Sequence, residues 1–390
     1  MEFTKTYNEL KKVFSLNNER TFVDKAGMEI RIMQFTSNSS LILPSNGIDE
    51  QTYFHQTNAT NDGRIEENKT FSYPVFIPKS DVLHKRAIIL LHGLNERSWF
   101  KYLPWAYYLA EKTNCPVILF PIAFHMNRSP ENWANPRAMM PLLSDRQRIE
   151  SLNMSTYANV ALSQRLSDDP LRFFASGKQS AEDIIRLLET INAGDYPLLE
   201  RNSHVDFFSY SIGAFLSQIL FLANPKGMFE KSRLFMFCGG SHFSGMYGAS
   251  RLIMDNMAFA QLRKYYLNDF LNEAKADSPF SEYVNASDIG EAFLSMISPE
   301  CKTEFRQERM EKIWDQIRII ALKQDQVIPS NHIQSTFACI KSKVKSIFQE
   351  MDFPYKYSHE VPFPVFNNSN SLQVDENFNR VFQPAVEFLA

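Results

Sequence analysis

Five short apolar runs follow one another along the chain from residue 86 onward, with stretches of helical periodicity between them. They are 87–91 (AIILL), 116–122 (PVILFPI), 205–211 (VDFFSYS), 233–240 (RLFMFCGG) and 317–322 (IRIIAL). Continuous apolar runs of this length are typical of strands that are buried on both faces of a parallel sheet. The periodicity predicts helices at 99–112, 181–191 and 211–223. Alternating strands and helices indicate an α/β fold, with a mostly parallel central sheet and helices on both faces.

The rest of the chain follows other patterns. Residues 1–20 fit a short amphipathic helix and 21–80 fit irregular extended segments, so we expect 1–80 to pack on a core formed by 81–240 and 315–390. Two interruptions, 123–180 and 241–314, are partly helical and rich in aromatic, Met and Arg residues. Loops of that length without structure of their own are uncommon. We therefore expect a lid-like insertion at 123–180 and a helical cap at 241–314.

Composition and charge narrow the possible partners. Of 390 residues, 44% are hydrophobic and 22% charged, which is typical of a folded globular protein. The formal net charge is only -3, so no overall field favours nucleic acid as a partner. The sequence contains no run of 18 apolar residues, no signal-like start and no metal or nucleotide motif. We expect no transmembrane segment and no cofactor, and the four widely spaced cysteines favour a cytoplasmic location.

The first candidate for chemistry lies where the run 205–211 meets the next predicted helix. Ser211 has Ser209 two residues before it and Gly213 two residues after it, which gives S-x-S-x-G. A turn sharp enough to expose a nucleophile needs small residues at these positions. The alternative interpretation is a buried serine at an ordinary helix N-terminus.

A second candidate follows an earlier strand, at His92-Gly93-Leu94. Acyl transfer needs two N–H donors directed at the developing oxyanion, and a loop at the end of a neighbouring strand can supply one of them. The backbone N–H groups of Leu94 and Ile212 are our candidates. A plain strand-ending turn with a packed histidine remains the alternative.

Two more candidates lie towards the C-terminus. Asp325 comes three residues after the run 317–322, and His359 lies 34 residues beyond Asp325. A carboxylate at a strand end can accept a hydrogen bond from a histidine and fix its tautomer. The alternatives are a helix-capping or surface aspartate and a structural histidine.

The order of these motifs resembles that of the α/β-hydrolase superfamily, over roughly residues 80–390, and the chain also looks like bacterial subfamilies of that type whose activity is unassigned. Members have an HG-type loop followed by serine, acid and histidine in that order. The resemblance implies an α/β-hydrolase fold, with Ser211 as nucleophile, His359 as general base, Asp325 as orienting acid and Leu94 with Ile212 as oxyanion-hole donors.

Some positions match the family and others depart from it. Asp206 matches an aspartate that is common near the start of the family's nucleophile strand, whereas Ser209 replaces the usual first glycine of the elbow. The loop after 116–122 contains His125 and Arg128 instead of the D-x-x-G-x-G-x-S pattern. Because this loop usually borders the pocket, both residues are candidate substrate contacts, or else solvated lid residues.

The sequence therefore predicts a serine hydrolase that cleaves an ester-like or related acyl bond of a small molecule. Apolar residues of 241–314 could form the roof of a pocket or could merely pack the segment onto the sheet. A catalytically silent ligand- or protein-binding scaffold is the alternative from another class. A thioesterase, amidase, peptidase or carbon–carbon bond hydrolase would carry the same triad. The oligomeric state stays open.

Overall fold

A computed structural model describes residues 1–23, 27–39, 62–149, 154–276, 279–365 and 370–390. Nine strands in these ranges form one sheet: β1 Arg20–Phe22, β2 Glu29–Thr36, β3 Thr70–Ile77, β4 His84–Leu91, β5 Val117–Leu119, β6 Leu199–Tyr210, β7 Leu234–Phe237, β8 Ile317–Leu322 and β9 Phe348–Met351. The order across the sheet is β1-β2-β3-β5-β4-β6-β7-β8-β9. The first three strands pair antiparallel, β3 pairs antiparallel with β5, and the pairs from β5 through β9 are parallel. This order and these directions are those of the α/β-hydrolase fold, so the prediction of the fold class is confirmed.

Helices cover both faces of the sheet. They are α1 Phe3–Val13, α2 Glu66–Lys69, α3 Leu103–Thr113, α4 Pro136–Ile149, α5 Val160–Asp168, α6 Arg172–Ala193, α7 Ile212–Ala223, α8 Asn256–Lys264, α9 Phe270–Glu273, α10 Pro279–Ala286, α11 Asp288–Ser295, α12 Thr303–Ile313, α13 Ser330–Thr336, α14 Lys341–Ile347 and α15 Ser371–Leu389. On one face α1, α3 and α15 pack together, and on the other α6, α11 and α12 pack around α7.

The central strands are apolar at consecutive positions because both faces are buried. In β4, Ile89 and Leu91 contribute to the core on the α7 side, while Ile88 and Leu90 contribute to the core on the α3 side. Successive side chains of a strand point to opposite faces, so an element covered on both sides needs apolar residues throughout. This pattern fixes the strands whose C-terminal ends carry the candidate site.

The first 80 residues contain three strands of the sheet in addition to the predicted helix. β2 alternates buried and more exposed positions, with Ile30 and Ile32 buried. Such alternation belongs to an antiparallel edge that has one face better covered than the other. The expected extended segments at 24–26 and 40–61 lie outside the described residues.

The two long segments that interrupt the strand–helix alternation, 123–180 and 241–314, contact each other. Segment 123–180 contains α4, α5 and the start of α6, which begins at Arg172 instead of the predicted 181, and segment 241–314 contains α8 to α12. Arg146 of α4 forms a buried two-point ion pair with Asp255, at 2.5 and 2.8 Å, and Asp255 caps the N-terminus of α8. In the described part of the chain, no helix is long and apolar enough to cross a lipid bilayer.

Candidate active site

Ser211 occupies a sharp turn between β6 and α7. Its backbone has φ 57° and ψ -121°, and its N–H donates to the carbonyl of Phe237 at 3.2 Å. A positive φ is uncommon for a residue with a side chain and costs on the order of 1–3 kcal/mol. The turn places the hydroxyl at the C-terminal edge of the sheet, in front of the N-terminus of α7.

Two glycines allow the turn to be this tight. A Cβ on Gly213 would lie 2.8 Å from the carbonyl oxygen of His92, and a Cβ on Gly239 would lie 2.4 Å from Cβ of Ala214. Ser209 is different, because it stays in the regular β6 ladder and its hydroxyl lies 2.6 Å from that of Ser217. The small residue needed after β7, Gly239, was not predicted to support the serine.

The structure brings Ser211, His359 and Asp325 together. The Ser211 Oγ lies 2.7 Å from His359 Nε2, and His359 Nδ1 lies 2.7 Å from Asp325 Oδ2. The three residues are 4%, 3% and 4% exposed, so water does not compete strongly for these bonds. With Nδ1–H donating to the carboxylate, Nε2 is left to accept the serine proton. The arrangement can therefore move a proton from the hydroxyl to the imidazole.

The Asp325 carboxylate is held by the turn that follows β8. Its Oδ1 accepts the N–H groups of Val327 and Ile328, at 2.9 and 2.8 Å. Because those two donors occupy Oδ1, Oδ2 faces the histidine. Asp325 therefore has both predicted roles. Its Oδ1 binds local backbone N–H groups, as the helix-capping alternative predicted, and its Oδ2 binds His359.

His359 is held by the residue that precedes the serine. The rings of Tyr210 and His359 stack with centroids 5.5 Å apart, and the Tyr210 hydroxyl donates to the carbonyl of His359. Burial raises the pKa of Tyr210 well above its usual value, so the phenol remains a neutral donor. The sequence analysis did not single out Tyr210. The feature that could have indicated its role is the polar hydroxyl of a tyrosine within a mostly apolar strand, directly before the serine.

The backbone N–H groups of Leu94 and Ile212 have no hydrogen-bond partner among the described residues. His92 fixes the loop that carries Leu94, since its Nδ1–H donates to the carbonyl of Gly93 at 2.8 Å and its Nε2 accepts the N–H of Ile122 at 3.0 Å. Burial holds the pKa of His92 well below its usual value. His92 is a fully buried, neutral residue that ties two loops together, as the packed-histidine alternative described.

Three cavities adjoin the site and have Leu94 and Phe173 in common. The Ser211 cavity has an empty volume of about 430 Å³, and its walls, which include Met246, Met254 and Phe259, are almost entirely apolar. A second apolar cavity of about 560 Å³ lies between α6, α7 and α11. The third, of about 630 Å³, has three arginines in its walls, and we call it the arginine cavity. Two differently lined compartments therefore lie next to the Ser211 cavity.

Comparison with models of known protein families identifies the family of this chain. A family model matches residues 1–390. The chain belongs to the family of unknown function DUF6051. No curated protein matches the sequence.

Solved structures that resemble this DUF6051 chain include several esterases at low identity. A cold-adapted esterase from an Arctic intertidal metagenomic library is 12% identical over 96% of this chain and 98% of its own, with a TM-score of 0.40. A hyperthermophilic esterase from Pyrobaculum calidifontis is 10% identical over 98% and 90%, with a TM-score of 0.43. Carboxyl esterase 2 from the fungus Tuber melanosporum is 10% identical over 99% and 97%, with a TM-score of 0.39.

His125 and Arg128, the two candidate substrate contacts of this DUF6051 chain, lie in different surroundings. His125 lies in the wall of the arginine cavity and of the second apolar cavity. Arg128 lines none of the three cavities, is fully buried, and pairs with Asp183 at 2.8 Å while its guanidinium stacks 4.0 Å from the ring centroid of Phe71. The expectation that Arg128 contacts substrate is therefore corrected: its ion pair and ring contact place it in the interior behind the loop.

Asp206 lies in β6, five residues before the serine. Its carboxylate binds Arg86 at 3.0 Å, His204 at 2.7 Å and the N–H of Arg233 at 2.7 Å. These contacts join neighbouring strands near the opposite edge of the sheet. Among the described residues, no group of three or more His, Cys, Asp or Glu side chains could hold a metal ion.

Proposed function

We propose that the protein is a serine hydrolase that cleaves carboxylic ester or closely related acyl bonds. One observation carries the proposal, namely the continuous hydrogen-bond relay from Ser211 through His359 to Asp325 at a strained turn. Strain at a buried serine is costly, and it persists where the surrounding structure holds it in place for a role. A scaffold that only binds ligands needs neither the strained turn nor the relay.

The reaction uses the groups in this order. His359 Nε2 takes the proton of Ser211 Oγ as that oxygen attacks the carbonyl carbon. The N–H groups of Leu94 and Ile212 donate to the resulting oxyanion, close to the positive end of the α7 dipole. The imidazolium then returns the proton to the leaving oxygen, which departs as an alcohol.

Water completes the cycle by the same steps. His359 takes a proton from water, the hydroxide attacks the acyl-enzyme, and the acid leaves as the proton returns to Ser211. Asp325 acts as a positioning residue that holds the Nδ1–H tautomer. The apolar walls of the Ser211 cavity favour an apolar group next to the reacting carbonyl, and they do not separate esters from thioesters or amides.

A serine-reactive fluorophosphonate probe tests the proposal directly. The wild type should be labelled and Ser211→Ala should not, with hydrolysis of p-nitrophenyl esters reduced by about a million-fold, as expected when a triad nucleophile is removed. Matched thioesters and anilides rank the bond types. Ser346→Ala changes an exposed serine of α14 and serves as the control. Turnover that survives Ser211→Ala would refute the mechanism, and a folded wild type that neither labels nor turns over any substrate would favour the silent scaffold.

A further inference from the structure

The arginine cavity is joined to the site by shared wall residues. Leu94 and Phe173 line both this cavity and the Ser211 cavity. Its other walls include Arg97, Arg165 and Arg172. The three guanidinium groups therefore lie in a compartment next to the Ser211 cavity, and the balance of charge there decides which substrate extension that compartment would accept.

Two of the three arginines have acidic partners. Arg165 binds both oxygens of Asp62, at 2.9 and 3.0 Å, and Arg172 binds the same carboxylate at 3.2 Å. Asp168 also interacts electrostatically with both of these guanidinium groups. Two cations therefore face two carboxylates, so this pair leaves little charge for a ligand.

Arg97 has no such partner among the described residues. Its Nη1 donates to the carbonyls of Trp133 at 2.5 Å and Tyr157 at 3.4 Å, and no ion pair forms. Glu96 is also a wall residue of this cavity, and its carboxylate is engaged by Lys101 and by the hydroxyl of Tyr102. Burial lowers the pKa of Arg97 to about 10, which still leaves it charged in neutral solution. Arg97 is partly exposed at the cavity wall, and a cation without a counter-charge in that position is a suitable partner for an anionic ligand.

His125 lies in the same wall and carries no charge. Its Nδ1–H donates to the carbonyl of Ala123 at 2.9 Å, and its buried Nε2 has no partner. Burial lowers the pKa of His125 to about 4, so the ring is neutral at pH 7. The uncompensated charge of the cavity thus belongs to Arg97, and His125 adds none.

We propose that the arginine cavity binds a carboxylate of the substrate through Arg97, so that the enzyme acts on acyl compounds in which an apolar spacer joins the reacting carbonyl to a carboxylate. The Nε and Nη2 groups of Arg97 have no hydrogen-bond partner in the described ranges, and together they form the planar two-donor edge that matches a carboxylate. One cation balances one carboxylate, whereas a phosphate dianion would leave excess negative charge. This inference rests on the proposed function, because the spacer is defined by the distance from Ser211.

Matched substrate pairs test the inference on the wild type. The first set consists of p-nitrophenyl half-esters of succinate, glutarate, adipate and suberate, each compared with its methyl-capped, uncharged counterpart. The second places the carboxylate on the alcohol side, as the butyrate ester of 4-hydroxyphenylacetate against that of its methyl ester. We expect kcat/KM to favour the carboxylate member by about tenfold or more in at least one pair, since a hydrogen bond to a charged group is of that strength. Equal rates in every pair would overturn the inference.

Arg97 variants identify the residue responsible. Arg97→Gln should bring the ratio within the preferred pair close to one, mainly by raising KM for the carboxylate member, and Arg97→Lys should keep part of the preference. Arg137→Gln removes an exposed arginine of α4 and should leave the ratio as it is. A preference that survives Arg97→Gln would assign the carboxylate to another group.

Two further measurements keep the inference separate from the function. Fluorophosphonate labelling of Arg97→Gln reports whether Ser211 is still reactive, and thermal unfolding reports whether the variant folds. Calorimetric titration of Ser211→Ala with the preferred half-ester gives its affinity without turnover, which Arg97→Gln in the same background should weaken. If the wild type labels but shows no preference, only the inference fails. If Ser211→Ala still turns over substrate, the proposed function fails as well.

Discussion

Each oxygen of the Asp325 carboxylate has its own partners, and this division selects the tautomer of a neutral His359 ring. Oδ1 accepts two backbone N–H groups and Oδ2 accepts Nδ1–H of the imidazole. A carboxylate can only accept, so the imidazole must carry its proton on Nδ1 and keep Nε2 free. In the proposed mechanism, the reactivity of Ser211 thus depends on Asp325 Oδ2, an atom that does not touch it.

Asp325→Asn tests this dependence. The amide oxygen should remain with the two backbone donors, so the NH2 group would face His359 Nδ1 and force the proton onto Nε2. That tautomer cannot accept the serine proton, and kcat should fall by about ten-thousand-fold, as in other triads with this change. The value of kcat is measured from the hydrolysis of p-nitrophenyl esters. Asp352→Asn, a substitution at an exposed aspartate near the same loops, is the control. A loss of less than about tenfold would contradict the assigned role.

The candidate residues were found from two kinds of signal. Ser211 and Asp325 lie at or just after predicted strands, whereas His359 was chosen from its place in the order serine, acid, histidine. Tyr210 and His92 could not be predicted as supports, because they bind backbone atoms of residues 149 and 30 positions away. Backbone acceptors have no residue type, so no motif records such contacts.

At the level of elements, the turn after β7 controls the geometry of the turn before α7. Gly239 lies against the first turn of α7, where a Cβ would be 2.4 Å from Cβ of Ala214 and 3.0 Å from the carbonyl oxygen of Ser211. Real Cβ atoms do not approach other atoms this closely without displacement. The serine turn is therefore formed by three consecutive segments of the sheet edge and not by β6 and α7 alone.

Gly239→Ala should destabilise the protein and disturb the site together. Overpacking of this kind costs typically 1–3 kcal/mol, so we expect the free energy of unfolding to fall by about that amount and fluorophosphonate labelling to slow. Urea unfolding followed by fluorescence, with labelling rates, provides both measurements. Gly177→Ala is the matched control, because a Cβ there meets nothing within 4 Å in the middle of α6 and should stabilise the helix. Equal effects of the two substitutions would argue against the close approach.

The apolar runs located the central strands from β4 to β8, while their exact ends and the strands before residue 80 were predicted less well. The run 317–322 is β8 to the residue, whereas 116–122 shortens to β5 at 117–119. β2 alternates polar and apolar positions and β1 has only three residues, so neither forms a continuous apolar run, whereas β3 contains a buried apolar run at 73–77 that was not predicted as a strand. α6 begins nine residues earlier than predicted, at Arg172, since its first turns pack against the inserted helices and do not show a clean apolar stripe.

For the molecule as a whole, three buried histidines have lowered pKa values, so all three make the free energy of unfolding depend on pH in the same direction. Burial lowers the pKa of His125 to about 4 and of His242 to about 3, and holds that of His92 well below its usual value. Each stays neutral when folded but takes up a proton near pH 6.5 when unfolded. The unfolded chain therefore binds more protons below that pH, so its free energy falls relative to the folded state.

Stability should accordingly be retained above about pH 6.5 and decline as the pH falls toward 4, by about 1.4 kcal/mol per pH unit for each such histidine. His242 provides the test, because its Nδ1 lies 2.9 Å from the hydroxyl of Thr336 and its Nε2 has no partner, away from the Ser211 relay. Urea unfolding of the wild type and of His242→Gln between pH 7 and 4.5 should show a shallower decline in the variant. His332→Gln, at a partly exposed histidine of α13, should keep the wild-type slope. Parallel slopes for all three proteins would mean that His242 is protonated in the folded state as readily as in the unfolded chain.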